Sequence, residues 1–414
     1  MPNEADAMRP VAQIEPRSWM TQPATKAVLA ALSARGATVR FVGGCVRDTL
    51  IGRPIKDIDI ATQDPPDRVI ELLVDARIKA VPTGLAHGTI TAVVPPRHFE
   101  ITTLRRDVET FGRHARVAFT EDWAADAARR DFTMNALFLD AAGQVFDPFQ
   151  GLADLRAGRV RFVGEPEARI REDVLRLLRF YRFYAHYGRG PADEAARRAC
   201  SALTNLLPSL SGERVAGELL KLLAAGDPVP AIDMMAEDGV LEVLLPEGTR
   251  RDHLAAFVGV EPAADPLRRL AALLPPDAAA AGAVATRLRL SNAERDKLLL
   301  LAAPPWQVDL DADERAQRLA LRRLDVESYI DLVLLRAAET GQGSRALRLI
   351  EAAPSRLPPP LPVRGRDVTR LGVAPGPKVG ELLAQVEDWW EAEDFRPDRA
   401  ACLARLAGLV ASAS

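Results

Sequence analysis

The alternation of apolar and polar positions changes character near residue 165. Before it, short apolar runs are separated by glycine and proline turns; after it, apolar residues recur at helical spacing almost to the end. Val28, Leu29 and Leu32 repeat at that spacing between Pro23 and Ala34, with Gly36 as the stop. Val39–Val42 reads as a strand, followed by a glycine turn, a short helix to Ile51, and a second strand, Asp57–Ala61. A helix starts after Pro66, and Thr89–Val94 pairs with Phe99–Thr103 as a hairpin across Pro95 and Pro96. Residues 105–119, RRDVETFGRHARVAF, have little apolar pattern and read as a mobile basic loop. A further hairpin surrounds Gly143. From Glu165 the chain is expected to be helical, with a helix through residues 171–183, then a helix capped by Ser211, a capping box at Ser291 with Glu294, breaks at Pro304–Pro305 and Pro358–Pro360, and a helix running to Trp390. The class is α+β: a small mixed sheet flanked by helices, then an all-α remainder.

The chemistry concentrates in FVGGCVRDTLIGRPIKDIDI, residues 41–60. On one strand Asp57 and Asp59 share a face, roughly 6–7 Å apart. At an effective dielectric of about 20 their repulsion is roughly 2–3 kcal/mol, so they share a proton or bind a cation. Two carboxylates on a rigid strand suit Mg²⁺, whose other positions go to water and phosphate oxygens. Upstream, the bare N–H groups of Gly43 and Gly44 at a helix start can receive phosphate, and Arg47 can add a charge-assisted contact. Taken alone, the same residues also fit a tight βα turn followed by an exposed acidic strand end. VGGCVRD followed by KDID, however, resembles the first motif of the class II tRNA nucleotidyltransferases, the CCA-adding enzymes, and of the related bacterial poly(A) polymerases, all in the DNA polymerase beta superfamily.

Composition narrows the setting. With 414 residues, 48% apolar and 27% charged, the chain is ordinary for a globular protein of two to four domains. No signal-like opening and no run of eighteen apolar residues is seen, so a cytoplasmic protein is expected. Cys45, Cys200 and Cys402 are isolated, arguing against a disulfide framework or zinc cluster, and five scattered histidines make a histidine-based metal site a poor fit. The net charge of −3 is uneven: nine arginines against four acids lie between Leu155 and Arg189, enough for a basic groove on a neutral body.

Further motifs follow in order. Glu100 opens EITT on the second hairpin strand, where the family carries a third carboxylate; an exposed strand glutamate is the alternative. Residues 105–119 stand where the family has a flexible loop taking part in addition of the terminal A, and Arg105, Arg106 and Arg113 are candidate RNA contacts. Residues 129–137, RRDFTMNAL, are similar to the second motif; the resemblance implies that Arg130 contacts nucleotide phosphates and that Asp131 and Asn135 favour a 2′-hydroxyl. DPFQGLADL, residues 147–155, matches the family's DPFxGxxDL. Ser211-Gly212-Glu213-Arg214 with Glu218 and Lys221 resembles a framework motif. Near the end, GVAPGPKVG places Lys378 at a helix start, able to hold an RNA phosphate or simply to connect two helices.

REDVLRLLRFYRF, residues 171–183, is the candidate base reader. On a continuous helix Asp173 and Arg176 are i and i+3 neighbours, and Arg179 and Arg182 continue a slanting polar stripe. Cytosine and adenine both present an exocyclic amine beside a ring-nitrogen acceptor. A carboxylate at Asp173 and a guanidinium at Arg176 are complementary to these two bases, while uracil and guanine leave buried polar groups unpaired. The alternative is a surface ion pair worth a few tenths of a kcal/mol. EDxxRxxRxxRF resembles the family's fourth motif, which reads the incoming nucleotide.

The resemblance spans almost the whole chain and implies a loose segment 1–22, a catalytic nucleotidyltransferase head 23–155, a helical neck 156–225 with the base reader, a body 226–355, and a tail 356–414 that binds tRNA. It implies metal-dependent, template-independent addition of C, C and A to tRNA 3′ ends from CTP and ATP. Asp57 and Asp59 would hold two Mg²⁺ ions, Glu100 would assist, and Gly43, Gly44, Arg47, Arg130, Asp131, Asn135, Asp173, Arg176, Arg179 and Arg182 would bind nucleotide. A poly(A) polymerase is the nearest rival, but such proteins carry a GRRF-like segment where this chain has AVPTGLAHGTITAVV, residues 80–94. A non-catalytic tRNA-binding protein is a second rival. No histidine-aspartate phosphohydrolase motif occurs in the C-terminal half.

Overall fold

The computed structural model describes residues 9–111 and 114–412; Arg113 lies outside them. The chain divides into two compact units, Met1–Gly248 with Arg287–Arg289, and Thr249–Thr286 with Leu290–Ser414.

In the first unit the strands are β1 (Pro10–Gln13), β2 (Val39–Val42), β3 (Ile58–Thr62), β4 (Lys79–Gly84), β5 (Thr89–Val94), β6 (Arg97–Thr103), β7 (Arg105–Phe111), β8 (His114–Phe119), β9 (Phe138–Leu139) and β10 (Gln144–Phe146). Eight of them form one sheet in the order β1-β10-β9-β2-β3-β6-β5-β4. β3 and β6 run parallel, with Asp59 opposite Glu100, whereas β2 and β3 are antiparallel, with Phe41 opposite Ile60. The sheet is mixed because the helix Pro66–Asp75 carries the chain away after β3 before the β4–β5–β6 meander returns it. Ile58 and Ile60 are fully buried on one face of β3. Ala61, on the face it shares with Asp59, joins Val42, Trp123, Ala127, Phe138 and Phe146 in a second cluster. Asp59 therefore stands at the border of a packed layer on a central strand. Asp57 falls one residue before β3, so only one acid of the pair is on the strand itself.

Two expectations are corrected. Residues 105–119 are not a loop: β7 and β8 form a separate antiparallel ribbon, with Arg105 opposite Phe119 and Asp107 opposite Val117. Val108, Thr110, Val117 and Phe119 have the β-branched and aromatic character of strands, which the interleaved arginines and the absence of a flanking hydrophobic run concealed. The continuous helix expected across residues 171–183 is two helices, Pro166–Glu172 and Leu175–Tyr187, broken at Asp173, which is extended at φ −147°, ψ 107°. The break is held by a tertiary partner: Asp173 accepts from the Leu175 N–H at 3.2 Å and from the Arg214 guanidinium at 2.9 and 3.1 Å. A local capping contact and a distant cation together replace one turn of helix.

DPFQGLADL is scaffold. Asp147 accepts from the N–H groups of Gly151 and Leu152 at 2.8 and 2.9 Å, closing the start of the helix Gly151–Ala157. From that helix the buried Asp154 accepts from the Thr133 hydroxyl at 2.7 Å and from Arg161 at 2.8 Å. Gly151 is required because a Cβ there would lie 2.0 Å from the Thr133 carbonyl oxygen. These contacts fix the turn Thr133–Asn135. Ser211 takes the N-cap position of the helix Gly212–Leu223, but its side chain makes no capping hydrogen bond.

The second unit is helical throughout, from Arg251–Val260 to Arg399–Ser412. Ser291 and Glu294 form the expected capping box. Trp390, Val386, Leu382, Cys402 and Leu406 build a core around the helix Pro377–Ala392, in whose first turn Lys378 sits. Among the described residues no helix is long and apolar enough to cross a membrane.

Candidate active site

A cavity of about 640 Å³ in the first unit is bordered by Gly43, Gly44, Arg47, Arg105, Arg129, Arg130, Asp131, Asn135, Glu172, Asp173, Arg176, Arg179 and Arg214, with His87, Val117, Leu175 and Phe183. Seven arginines face three acids, an excess of positive charge suited to a polyanion.

The glycine turn forms one wall. Gly43 has φ +73°, and a Cβ built on it would lie 3.5 Å from Asp59 Oδ2 and 3.7 Å from Arg130 Nη1. The bare backbone thus lies against both the candidate metal-binding acid and the candidate phosphate-binding cation, and its positive φ is what calls for glycine. The Asp59 carboxyl is pushed up to about 6 by burial and by the neighbouring charges of Glu100 and Asp57, with Arg130 opposing. Asp57 and Asp59 offer the hard oxygen donors a divalent ion takes, and such an ion would relieve the charge on Asp59 that Arg130 offsets only in part. Among the described residues no three His, Cys, Asp or Glu side chains converge closely enough to hold an ion by themselves. Water and substrate oxygens would have to complete a coordination shell begun by Asp57 and Asp59.

Arg47 is buried in the helix Gly44–Leu50 and tightly oriented. It grips Asp48 through two nitrogens at 3.0 and 2.9 Å, donates to Asn135 Oδ1 at 2.8 Å, and lies 4.2 Å over the Tyr187 ring. Tyr187 in turn donates to Asp48 at 3.0 Å. Asn135 donates to Asp131 at 2.9 Å, and Asp131 also accepts from the Phe132 N–H and from Arg179. Burial pushes the Asp131 carboxyl upward, but Arg179, Asn135 and the Phe132 amide outweigh it and hold it below the usual range. A continuous polar chain therefore runs from the glycine-turn helix through Asn135 and Asp131 to Arg179 on the helix Leu175–Tyr187. Asp131 and Asn135 face the cavity with their internal bonds already made.

Arg130 donates to Asp126 at 2.9 Å and Arg129 to the same carboxylate at 2.8 Å. Asp126, whose side chain is 1% exposed, also accepts from the backbone N–H of Arg105 at 3.3 Å, where β7 begins. Asp173 and Arg176 both reach the cavity, but through the helix break and not as a stripe on one face. Asp173 is held by Arg214; Arg176 donates to Glu172 and to the carbonyls of Arg169 and Arg129. Arg182 departs from the expected set: it turns to Glu218 on the helix Gly212–Leu223 and does not line the cavity. Glu100 is exposed in the middle of β6, between Asp59 and Thr91 on the neighbouring strands, Arg106 is exposed on the ribbon, and Lys378 belongs to the second unit.

Sequence reasoning missed Arg129, Glu172, Arg214, His87 and Phe183 as lining residues. Arg129 and Glu172 adjoin residues already singled out. Arg214, in a segment read as framework, reaches the site only through tertiary packing.

With this geometry in view, comparison with known proteins is informative. The Poly A polymerase head domain family matches residues 39–161, and a family described as the probable RNA and SrmB-binding site of polymerase A matches 193–251. The human protein named CCA tRNA nucleotidyltransferase 1, mitochondrial, is 34% identical over 372 residues, covering 87% of this chain and 84% of its own. The chain belongs to the class II CCA-adding enzyme and poly(A) polymerase family. Within that family, the CCA-adding enzyme of Geobacillus thermodenitrificans is 39% identical over 215 residues, 51% of this chain and 52% of its own. The crystal structure of the Bacillus stearothermophilus CCA-adding enzyme in complex with CTP superposes with a TM-score of 0.77 at 27% identity, covering 95% of this chain and 99% of that one. A Thermotoga maritima CCA-adding enzyme complexed with tRNA shares the fold at TM-score 0.68 and 20% identity. This chain thus shares its α+β architecture with both solved structures.

Proposed function

We propose that this chain is a CCA tRNA nucleotidyltransferase, transferring CMP, CMP and AMP in turn from CTP and ATP to the 3′-hydroxyl of tRNA and releasing pyrophosphate. The observation that carries the reading is the single cavity in which the Gly43–Gly44 turn, Arg47 and Arg130 meet Asp173 and Arg176. Triphosphate recognition and an acceptor–donor pair suited to C and A share one space.

Arg130 and the glycine-turn amides orient the triphosphate, Arg47 adds charge, and Asp131 and Asn135 border the ribose. Asp173 accepts from the exocyclic amine and Arg176 donates to the ring nitrogen, so that U and G leave like groups opposed. Asp57 and Asp59 would hold Mg²⁺, taken as two ions, which would supply the positive charge that favours ionisation of the primer hydroxyl and departure of pyrophosphate. Glu100 faces the same acids from the neighbouring strand. Arg105 and Arg106 at the base of the ribbon, and Lys378 in the second unit, are proposed RNA contacts, recognising tRNA by shape and backbone. Residues 23–155, 156–225, 226–355 and 356–414 are taken as head, neck, body and tail. The cytoplasmic setting is supported by three buried free cysteines, which suit a reducing compartment.

Incubation with tRNA lacking its last three nucleotides and with single labelled nucleotides tests this. Ordered C, C, A addition is expected. Long A tracts would transfer the chain to the poly(A) polymerase branch, and no incorporation would sink the enzymatic reading.

A further inference from the structure

The residue that joins the two halves of the cavity is one with no place in the reaction as set out so far. Arg169, in the helix Pro166–Glu172, is 8% exposed. Its Nη2 donates to the carbonyl of Arg130 at 2.7 Å and to that of Arg129, where the helix Trp123–Ala128 ends. Those carbonyls follow directly on the last helical residue, Ala128, so a guanidinium supplied from elsewhere satisfies them and opposes the negative end of the helix. Through Nη1 the same side chain pairs with Glu172.

Arg176 uses the same anchors. It donates to Glu172, to the Arg129 carbonyl at 3.2 Å, and to the carbonyl of Arg169 itself at 3.0 Å. Arg169 and Arg176 thus share two acceptors, the Glu172 carboxylate and the Arg129 carbonyl. One of these belongs to the base-reading segment and the other to the turn that carries Arg130. Removing Arg169 would leave both acceptors to Arg176 alone, drawing its guanidinium off the line it must hold toward a base. It would also release the backbone that aims Arg130.

We propose that Arg169 is a positioning residue for nucleotide choice, registering the base-reading pair against the triphosphate-binding turn. This rests on the nucleotidyltransferase reading above. The test measures kcat and KM for CTP, ATP, UTP and GTP on tRNA lacking its terminal residues, in wild type, Arg169→Ala and Arg169→Lys, with near-ultraviolet circular dichroism as the check on folding. For Arg169→Ala, kcat/KM for CTP should fall by about 10²-fold, the cost of a 1 Å misplacement, and by less for UTP, so that discrimination narrows. Guanidinium ion added at millimolar concentration should restore part of the selectivity, which a merely structural role would not predict. Arg169→Lys keeps the charge but not the planar fork and should be intermediate. Equal losses for all four nucleotides, unchanged discrimination, or failure of both variants to fold would overturn the inference. Absence of transfer by the wild type would instead overturn the enzymatic reading.

Discussion

Asp126 is the member of the site whose removal has the most calculable cost. Its carboxylate is sealed from solvent and serves two guanidiniums, Arg129 at 2.8 Å and Arg130 at 2.9 Å, whose own side chains are 16% and 17% exposed. A hydrogen bond to a charged group contributes roughly 1.5–3 kcal/mol, and removing one partner of a buried pair costs about 3–5 kcal/mol. Because the two arginines retain some access to water, the lower end applies: Asp126→Ala should lose about 3 kcal/mol, and Asp126→Asn, which keeps one acceptor oxygen, about half that. Against a typical stability of about 5–15 kcal/mol this is readily measured as a lowered urea midpoint at unchanged slope. The pH dependence follows from the sign of the shift. Burial pushes the Asp126 carboxyl up, but Arg130 and Arg129 prevail and hold it below the ordinary carboxylate range. A depressed acid contributes fully above its unfolded value near 3.9, and the contribution fades as pH falls through the native value. The gap between wild type and Asp126→Asn should therefore be constant from pH 8 to about 5 and begin to close only below about pH 4. Nucleotide KM should rise as Arg130 loses its brace. An unchanged midpoint at pH 7, or a gap that widens on acidification, would refute the reasoning.

Other substitutions give distinct signatures. Asp59→Asn should abolish transfer yet stabilise the metal-free protein at pH 8: a carboxyl raised from 3.8 to about 6 carries a penalty absent below pH 4 and complete above pH 6, up to about 3 kcal/mol at 1.36 kcal/mol per pH unit. No gain in melting temperature in a chelating buffer would show that the acids do not crowd one another. Asp173→Ala should relax the choice among nucleotides by tenfold or more while Mn²⁺ binding, followed by electron paramagnetic resonance, persists; retained selectivity would remove Asp173 from base reading. Gly151→Ala should cost about 1–3 kcal/mol and lower kcat/KM, because the added methyl displaces Thr133 and with it the turn that ends at Asn135. A wild-type melting temperature would contradict the close approach.

The strand, glycine turn, helix and strand of residues 39–62 were legible because each is a local matter: apolar runs, glycines and prolines at turns, and a two-residue period. The same applies to the β5–β6 hairpin and to the Ser291 cap. What the sequence hid was tertiary. Residues 167–187 keep helical periodicity through Asp173, with no glycine or proline to mark an interruption; the break exists because Arg214, 41 residues away, holds the carboxylate. Arg182 continues the arginine spacing but points to Glu218, since at three-residue steps successive side chains rotate away from the cavity. The β7–β8 ribbon escaped notice because charged residues broke up its alternation.

The parallel register of β3 against β6 has a consequence for how this chain can tolerate change in length. Because facing alternates at every residue, a single amino acid inserted between Ile58 and Asp59 would carry the carboxylate onto the face where Ile58 and Ile60 are buried and turn Ile60 onto the opposite one. The connection from Gly52 to Lys56 precedes the ladder and can absorb such an event without exchanging the two sides of the sheet. Length variation among homologous chains should accordingly gather in that connection and be missing from the five residues that follow Asp57.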